Sequence, residues 1–573
     1  MASITKKIVS GNAYYYAREC QRVDGKPKIV WQKYLGRVDD IISAVESPSS
    51  KAQPAPVPES AVISEFGAVT ALYDIAQRLD LVGHIDRHVP LRQGHGPSVG
   101  TYLLVAALNR CVAPCSKAKI ADWFQETALR RLIRVEARQL TSQRFWNQMD
   151  RLPHETIEKI ERDLVTHMVR EFGIDVRRVL FDATNFFTFI DTFNERSTLA
   201  KRGKSKEGRA ALRIVGLALL VSEDFHVPLL HHTYAGNQND AKTFGSLTAD
   251  LVTRYRDISE GAEHVTIVFD KGNNSQDNLD AIKESPYHFV GSLVPTHHPE
   301  LLNVPAELFS PLSDAGLPGV TAYRTTMSVF KVNRTVLVTF NENLFVSQSQ
   351  TLLREIAKRQ RLLAELQEQL RKRRSGEVRG GKPPTVQTTK AKVEALLKAR
   401  HMSDLFHIEI TEKDGLPELA YNLDAEAWEH LQRTLLGKTI LFTDNEDWSD
   451  AEIVRGYRSQ HHVETAFRCV KDPHHIALRP QHHWTDQKIE VHVFCCVIAL
   501  MLCSLLQREL HQKGIDRSIP DILDDLAGIR EVAVVYPPGN GEEAPRLAVT
   551  LSKLTTGQQA LHDALDLQRY RSA

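Results

Sequence analysis

Two short apolar runs, each ending on an acid, constrain this chain more than any other feature. RVLFD closes at Asp182 and VTIVFD closes at Asp270. Runs of Val, Ile, Leu and Phe with almost no polar alternation read as strands buried on both faces. Such strands need neighbours on either side and helices above and below. LRIVGLALLVS (212–222), HVPLLHHTY (226–234) and YHFVGSLV (287–294) supply further strands, and 240–255 has a helical period. Strands in meander order, followed by strands alternating with helices, predict an α/β fold with a mixed sheet flanked by helices.

The rest of the chain is organised around that sheet. Residues 1–45 read as an N-terminal β-hairpin module, with AYYYARECQRV and KPKIVWQKYLG flanking an Asp24-Gly25 turn. Residues 46–60 carry four prolines and read as a linker. Residues 61–174 have helical periodicity, as in AVTALYDIAQRLDLVGHI, and form a candidate DNA-binding region. The sheet occupies 175–295, and an inserted β-rich and helical domain is expected over 296–445. The core resumes over 446–530, where Ser449-x-x-Glu452 has the capping-box pattern and opens a long helix. Val493–Leu506 is an apolar run of 14 residues, short of the ~20 that span a bilayer, and reads as a buried core helix. Residues 531–573 form a C-terminal tail of two strands and a helix.

Bulk charge excludes little here. Lys plus Arg total 72 against 71 Asp plus Glu, a net charge of +1, so any polyanion partner must be argued from local charge. Residues 351–400 hold 14 basic and 5 acidic side chains, and residues 196–213 hold seven basic and one acidic. The second cluster, RSTLAKRGKSKEGRAALR, follows Asp182 and is placed to meet phosphates through Lys201, Arg202 and Lys204. Seven cysteines, an odd number, read as reduced thiols, and the N-terminus lacks the apolar stretch of a secretory signal. A cytoplasmic location with no membrane partner is the expectation. No metal-binding Cys or His spacing and no P-loop appears, so neither zinc nor ATP is called for.

Three carboxylates stand out: Asp182 and Asp270 at strand ends, and Glu464 on the helix after Ser449. Ligands collect at strand ends in open α/β sheets, and an acid beside an apolar core needs a metal, a base or a helix terminus. Carboxylate oxygens suit Mg²⁺, and two such ions activate an attacking oxygen and steady a leaving one at a phosphodiester. An Asp after a strand is also a common turn starter. Tyr457, Glu464 and Lys471 recur every seven residues, a single stripe on one helix, with His461 and Arg468 flanking it.

With VLFDATNFFTF, HTYAGNQNDAKTF, VTIVFDKGNNS, YRSQHHVETAFRCVKDP and LRPQHHW in place, the chain resembles bacterial insertion-sequence transposases of the DDE type. The branch is the IS-four-type superfamily with its Tyr-Arg-Glu-Lys signature and RNase H-like core. The resemblance implies that Asp182, Asp270 and Glu464 are catalytic and hold two Mg²⁺ ions, with Mn²⁺ able to substitute. It implies that Tyr457 and Lys471 contact DNA phosphate, with Arg468 beside them. The implied activity is strand cleavage at transposon ends and transfer of the 3′-hydroxyl to target DNA, by a homodimer in a synaptic complex on double-stranded terminal repeats. The 194 positions between Asp270 and Glu464 fit the branch with an inserted β-rich domain. One departure is Gln460, where the family has Arg; Arg458 lies elsewhere on the helix and is left out of the set. A silent DNA-binding repressor and a stand-alone RNase H-like nuclease are the alternative readings.

Overall fold

The structure is a computed structural model describing residues 2–9, 12–23, 26–46, 57–90, 96–209, 211–238, 264–479, 481–538 and 545–572. It divides into two compact units, Met1–Val62 with Val532–Thr550, and Ile63–Glu531 with Leu551–Ala573.

In the smaller unit, Asn12–Val23 and Lys26–Gly36 pair antiparallel as the expected hairpin, with Val23 opposite Lys26. The turn residues Asp24 and Gly25 lie outside the described residues, as does most of the proline-rich stretch. A strand not foreseen, Ala2–Val9, pairs with the first arm. Ser60–Glu65 joins Arg530–Tyr536 and Arg546–Leu551 in a second three-stranded sheet.

The larger unit holds one nine-stranded sheet. Its strands are β1 (Arg178–Thr188), β2 (Arg213–Ser222), β3 (Pro228–Ala235), β4 (Val265–Val268), β5 (Tyr287–Ser292), β6 (Ser310–Pro311), β7 (Val320–Val329), β8 (Val332–Asn341) and β9 (Lys438–Thr443). β1, β2 and β3 form an antiparallel meander. On its other side β1 pairs in parallel with β4, and β4 in parallel with β5. Only β2 runs against the other four, which is the expected RNase H-like mixed sheet. The link between β3 and β4, including the helix expected over 240–255, lies outside the described residues.

The block expected as an inserted domain over 296–445 divides differently. β9 pairs antiparallel with β5, and β8, β7 and β6 follow, so its outer strands extend the core sheet. Only its middle packs around a core of its own, with Leu363, Leu370, Val393, Met402 and Phe406 buried together. That part comprises the 33-residue helix Glu342–Arg374, the helix Val386–Leu396 and the hairpin of Phe406–Lys413 with Leu416–Leu423.

The apolar run around Val493 lies in the core helix, Asp486–Gln512. By length and composition this helix is apolar enough to cross a membrane, but 94% of its most apolar window is buried inside the protein. Gly67–Arg78, Val99–Val112 and His154–Phe172 pack against it, so the helical region and the sheet share one hydrophobic core.

Candidate catalytic site

β1 and β4 bring the two aspartates level. Their parallel register pairs Leu180 with Val268, and two residues further along each chain stand Asp182 and Asp270. Alternation along a strand puts both side chains on one face, on chains ~4.8 Å apart. Asp270 keeps extended backbone (φ −86°, ψ 161°) and then starts the turn Lys271–Asn273. β1 runs on beside β2, with Asp182 opposite Leu219. β4 therefore stops while β1 continues, and it is at the ends of strands that ligands bind in such sheets.

Asp270 is held from two sides. The Ser292 hydroxyl, at the end of β5, donates to Asp270 Oδ1 at 3.1 Å. The Tyr457 hydroxyl lies 3.2 Å from the same oxygen and 2.9 Å from Ser292 Oγ. Burial pushes the Tyr457 phenol well above its ordinary pKa, and the charges of Asp270 and Glu464 add to that push. Tyr457 is thus a neutral donor at any working pH. Asp182 accepts from the backbone N–H of Ala183 at 2.7 Å.

Glu464 comes from a different kind of element. The helix expected from Ser449 onward is two helices, Asp450–Arg458 and His461–Lys471. Its start is as expected, with reciprocal hydrogen bonds between Ser449 and Glu452. The break falls at Ser459 and Gln460, both with helical backbone angles. There the ladder tightens: Gln460 N donates to Tyr457 O and His462 N to Ser459 O. Bonds of this three-residue span wind the chain faster, so the seven-residue stripe through Tyr457, Glu464 and Lys471 is not straight. Tyr457 reaches Asp270, and Glu464 remains exposed one turn beyond the break.

Lys471 docks further along β1. Its ammonium donates to Thr184 Oγ1 at 2.7 Å and lies 3.6 Å from Glu207. Thr184 is two residues past Asp182 on the same face. Burial lowers the Lys471 pKa, and Glu207 works against that. Arg479 completes the cluster, 2.7 Å from Glu207. Arg468, exposed, donates to Thr465 Oγ1 at 2.9 Å.

Lys201, Arg202 and Lys204 are exposed on the loop after β1. The loop is fastened at both ends. Asp486, at the start of the core helix, accepts from the Thr198 N–H at 2.9 Å and from the Leu199 N–H at 3.1 Å. Asn185 of β1 donates to Lys204 O at 3.1 Å and accepts from Lys206 N at 3.0 Å.

The donor chemistry of Asp182 and Asp270 suits a hard divalent ion. Among the described residues, however, no three His, Cys, Asp or Glu side chains gather closely enough to hold one ion together. The two aspartates fit such an ion as a pair, and Glu464 is near Tyr457 without completing a ready ligand set. Ser292, Thr184, Glu207 and Arg479 were not foreseen. Ser292 carries the same signal as the aspartates, a polar residue ending an apolar strand; Glu207 and Arg479 lie in polar loops with none.

A model of the transposase DDE domain matches residues 175–502, more than half of the chain. The chain belongs to the transposase DDE domain family. The match spans β1, β4, both helices around the break and most of the core helix. No curated protein matches the sequence. Among solved structures, a cryo-EM structure of the piggyBac transposase synaptic complex with hairpin DNA matches at 8% identity and a TM-score of 0.35, over 82% of each chain.

Proposed function

We propose that this DDE-family chain cuts and joins DNA at the ends of an insertion sequence, with Asp182, Asp270 and Glu464 as its catalytic acids. The observation that carries this is the level placement of Asp182 and Asp270, with Ser292 and Tyr457 fixing the second. The aspartates would hold the Mg²⁺ ions, or Mn²⁺ in their place, with Glu464 joining when DNA is bound. The chemistry two such ions supply is Lewis acidity at the attacking and leaving oxygens.

The protein's own groups do the rest. Tyr457 and Ser292 keep the Asp270 carboxylate aimed, through hydrogen bonds to its Oδ1. Lys471, close to the β1 aspartate, offers positive charge to a phosphate. Lys201, Arg202, Lys204 and Arg468 offer further charge to the backbone. In the first reaction a water oxygen bonds to phosphorus, the P–O3′ bond breaks, and the 3′-oxygen leaves as a hydroxyl. In the second, that hydroxyl attacks a target phosphodiester and displaces another 3′-oxygen. One phosphodiester replaces another, so no nucleotide is consumed.

The reading extends to a bacterial, cytoplasmic member of the IS-four-type branch acting as a homodimer on paired terminal repeats. The test is strand cleavage of duplex DNA bearing the inverted repeats that flank the reading frame, in Mg²⁺. Cleavage lost in Asp182→Asn and in Glu464→Gln supports the assignment; cleavage retained in either sinks it. One observation favours a second reading, a silent DNA-binding repressor: the three carboxylates form no ready ligand set. Metal-independent binding to the repeats with no cleavage in Mg²⁺ or Mn²⁺ would establish it. Cleaved ends that never join a target would point to the nuclease reading.

A further inference from the structure

A cleft of about 510 Å³ lies between the helical region and the segment that follows the Glu464 helix. Arg110 and Lys117 line one wall, Arg479, His482 and His483 the other, and His492 of the core helix lies among them. None of the described residues lining it is acidic.

The two strongest cations have no carboxylate among the described residues. The Lys117 ammonium lies 2.8 Å from His483 Nε2 and 4.8 Å from the centre of the Trp146 ring. His483 Nδ1 faces the Gln481 side-chain oxygen, so the ring is a neutral imidazole accepting from Lys117. That leaves the ammonium with donors to spare. Among the described residues, the Arg110 guanidinium meets only backbone oxygens, those of Cys115 and Ala477. Lys488, by contrast, has Asp150. Burial and the neighbouring Arg110 lower Lys117 to about 8, so it is still mostly charged at pH 7. Enclosed cations without a counter-charge are costly, and an anion entering the cleft removes that cost.

The positive charge continues out of the cleft. Arg479 and Arg209 both lie over the Phe187 ring, at 5.7 and 5.0 Å from its centre. Phe187 is five residues past Asp182 on β1, and Arg209 belongs to the loop that carries Lys201, Arg202 and Lys204. A line of basic groups, with Glu207 paired to Arg479, thus runs from the end of β1 to the cleft. A line suits a chain of phosphates better than a single one.

We propose that this cleft seats backbone phosphates of the DNA beyond the reacting end, with Lys117 and Arg110 as the contacting groups. The assignment rests on the transposase reading and names a binding surface for it. The test is fluorescence anisotropy with the full chain and a 30-base-pair duplex bearing a terminal repeat, in EDTA, across a KCl series. Each phosphate contact contributes about 0.9 to the slope of log affinity against log salt. Lys117→Gln is expected to weaken binding about tenfold and flatten the slope by about one contact. Ser116→Glu, at an exposed rim position, puts an acid in the cleft without disturbing the core and is expected to weaken binding more.

Unchanged affinity and slope in both variants overturn the proposal while leaving the transposase reading intact. A wild-type chain that does not bind the duplex overturns both. Calorimetry with inorganic phosphate covers the other source of the same chemistry. Heat from the wild type but not from Lys117→Gln, with DNA binding unaffected, would make this a free-phosphate site instead.

Discussion

The two sides of the strand-end site are built differently. Asp270 sits where parallel strand register places it, with Ser292 and Tyr457 on one oxygen. Glu464 is exposed on a helix that starts just after a break in the chain. Strand register is rigid, because a slip would move every neighbouring side chain to the wrong face. The tightened turn stands between the helix that carries Tyr457 and the one that carries Glu464, whose Val463, Ala466 and Val470 are buried in the core. The contrast teaches that one acid is fixed by strand register and two hydroxyls, while the other is an exposed side chain on a packed helix.

The largest expected effect comes from the rigid half. Asp182→Asn or Asp270→Asn should lower single-turnover cleavage by at least about 1,000-fold, ~4 kcal/mol of barrier, with duplex binding in EDTA preserved. Moving each acid by one methylene sharpens the comparison. Asp270→Glu should be nearly as damaging as Asp270→Asn, because its surroundings cannot shift. Glu464→Asp should keep roughly a tenth of the wild-type rate, ~1.4 kcal/mol, because an exposed side chain has room to adjust. Equal losses in these two variants would erase the distinction between the sides.

The hydroxyls that hold Asp270 come next. Tyr457→Phe and Ser292→Ala should each slow cleavage about tenfold, in line with ~1 kcal/mol or more per hydrogen bond to a charged group. Their double variant should lose less than the product, since the two hydroxyls share one acceptor. Tyr457 titrates far above neutrality, so its removal should leave the pH–rate profile unchanged in shape between roughly pH 6 and 9.

The smallest effect is on stability. Burial holds His226 at about 3, with His462, His461 and Arg468 adding to the depression, and it holds His492 at about 3 as well. Unfolded histidine titrates near ~6.5. Below that value the unfolded chain binds protons that the folded chain refuses, so stability is full above pH ~6.5 and falls as pH drops towards about 3. Melting followed by circular dichroism should show a lower Tm at acid pH, and His226→Phe should reduce that drop.

The rigid half was also the legible half. Asp182 and Asp270 announce themselves because an acid ending an apolar strand is chemically conspicuous, and the central strands were readable because burial on both faces strips them of polar alternation. Ser292 ends its strand in the same way and was within reach of that rule. The break at Ser459–Gln460 was not, since neither residue is Gly or Pro and both keep helical angles. Nor does hydrophobic pattern reveal partners: the pairing of β9 with β5 makes the insertion's outer strands part of the core sheet, and a strand's sequence does not name its neighbour. The cleft around Lys117 and His483 joins positions 366 residues apart, beyond any local signal.

The most direct test of the central claim, that Asp182 and Asp270 together hold the catalytic ion, is a change of metal preference. A thiolate is a poor ligand for Mg²⁺ and a better one for Mn²⁺ or Cd²⁺. Asp182→Cys should abolish cleavage in Mg²⁺ and recover a substantial part of it when Mn²⁺ or Cd²⁺ is added, with no such gain in Asp182→Ala. Equal inactivity of the cysteine variant in all three metals, with DNA binding and folding intact, would contradict the claim.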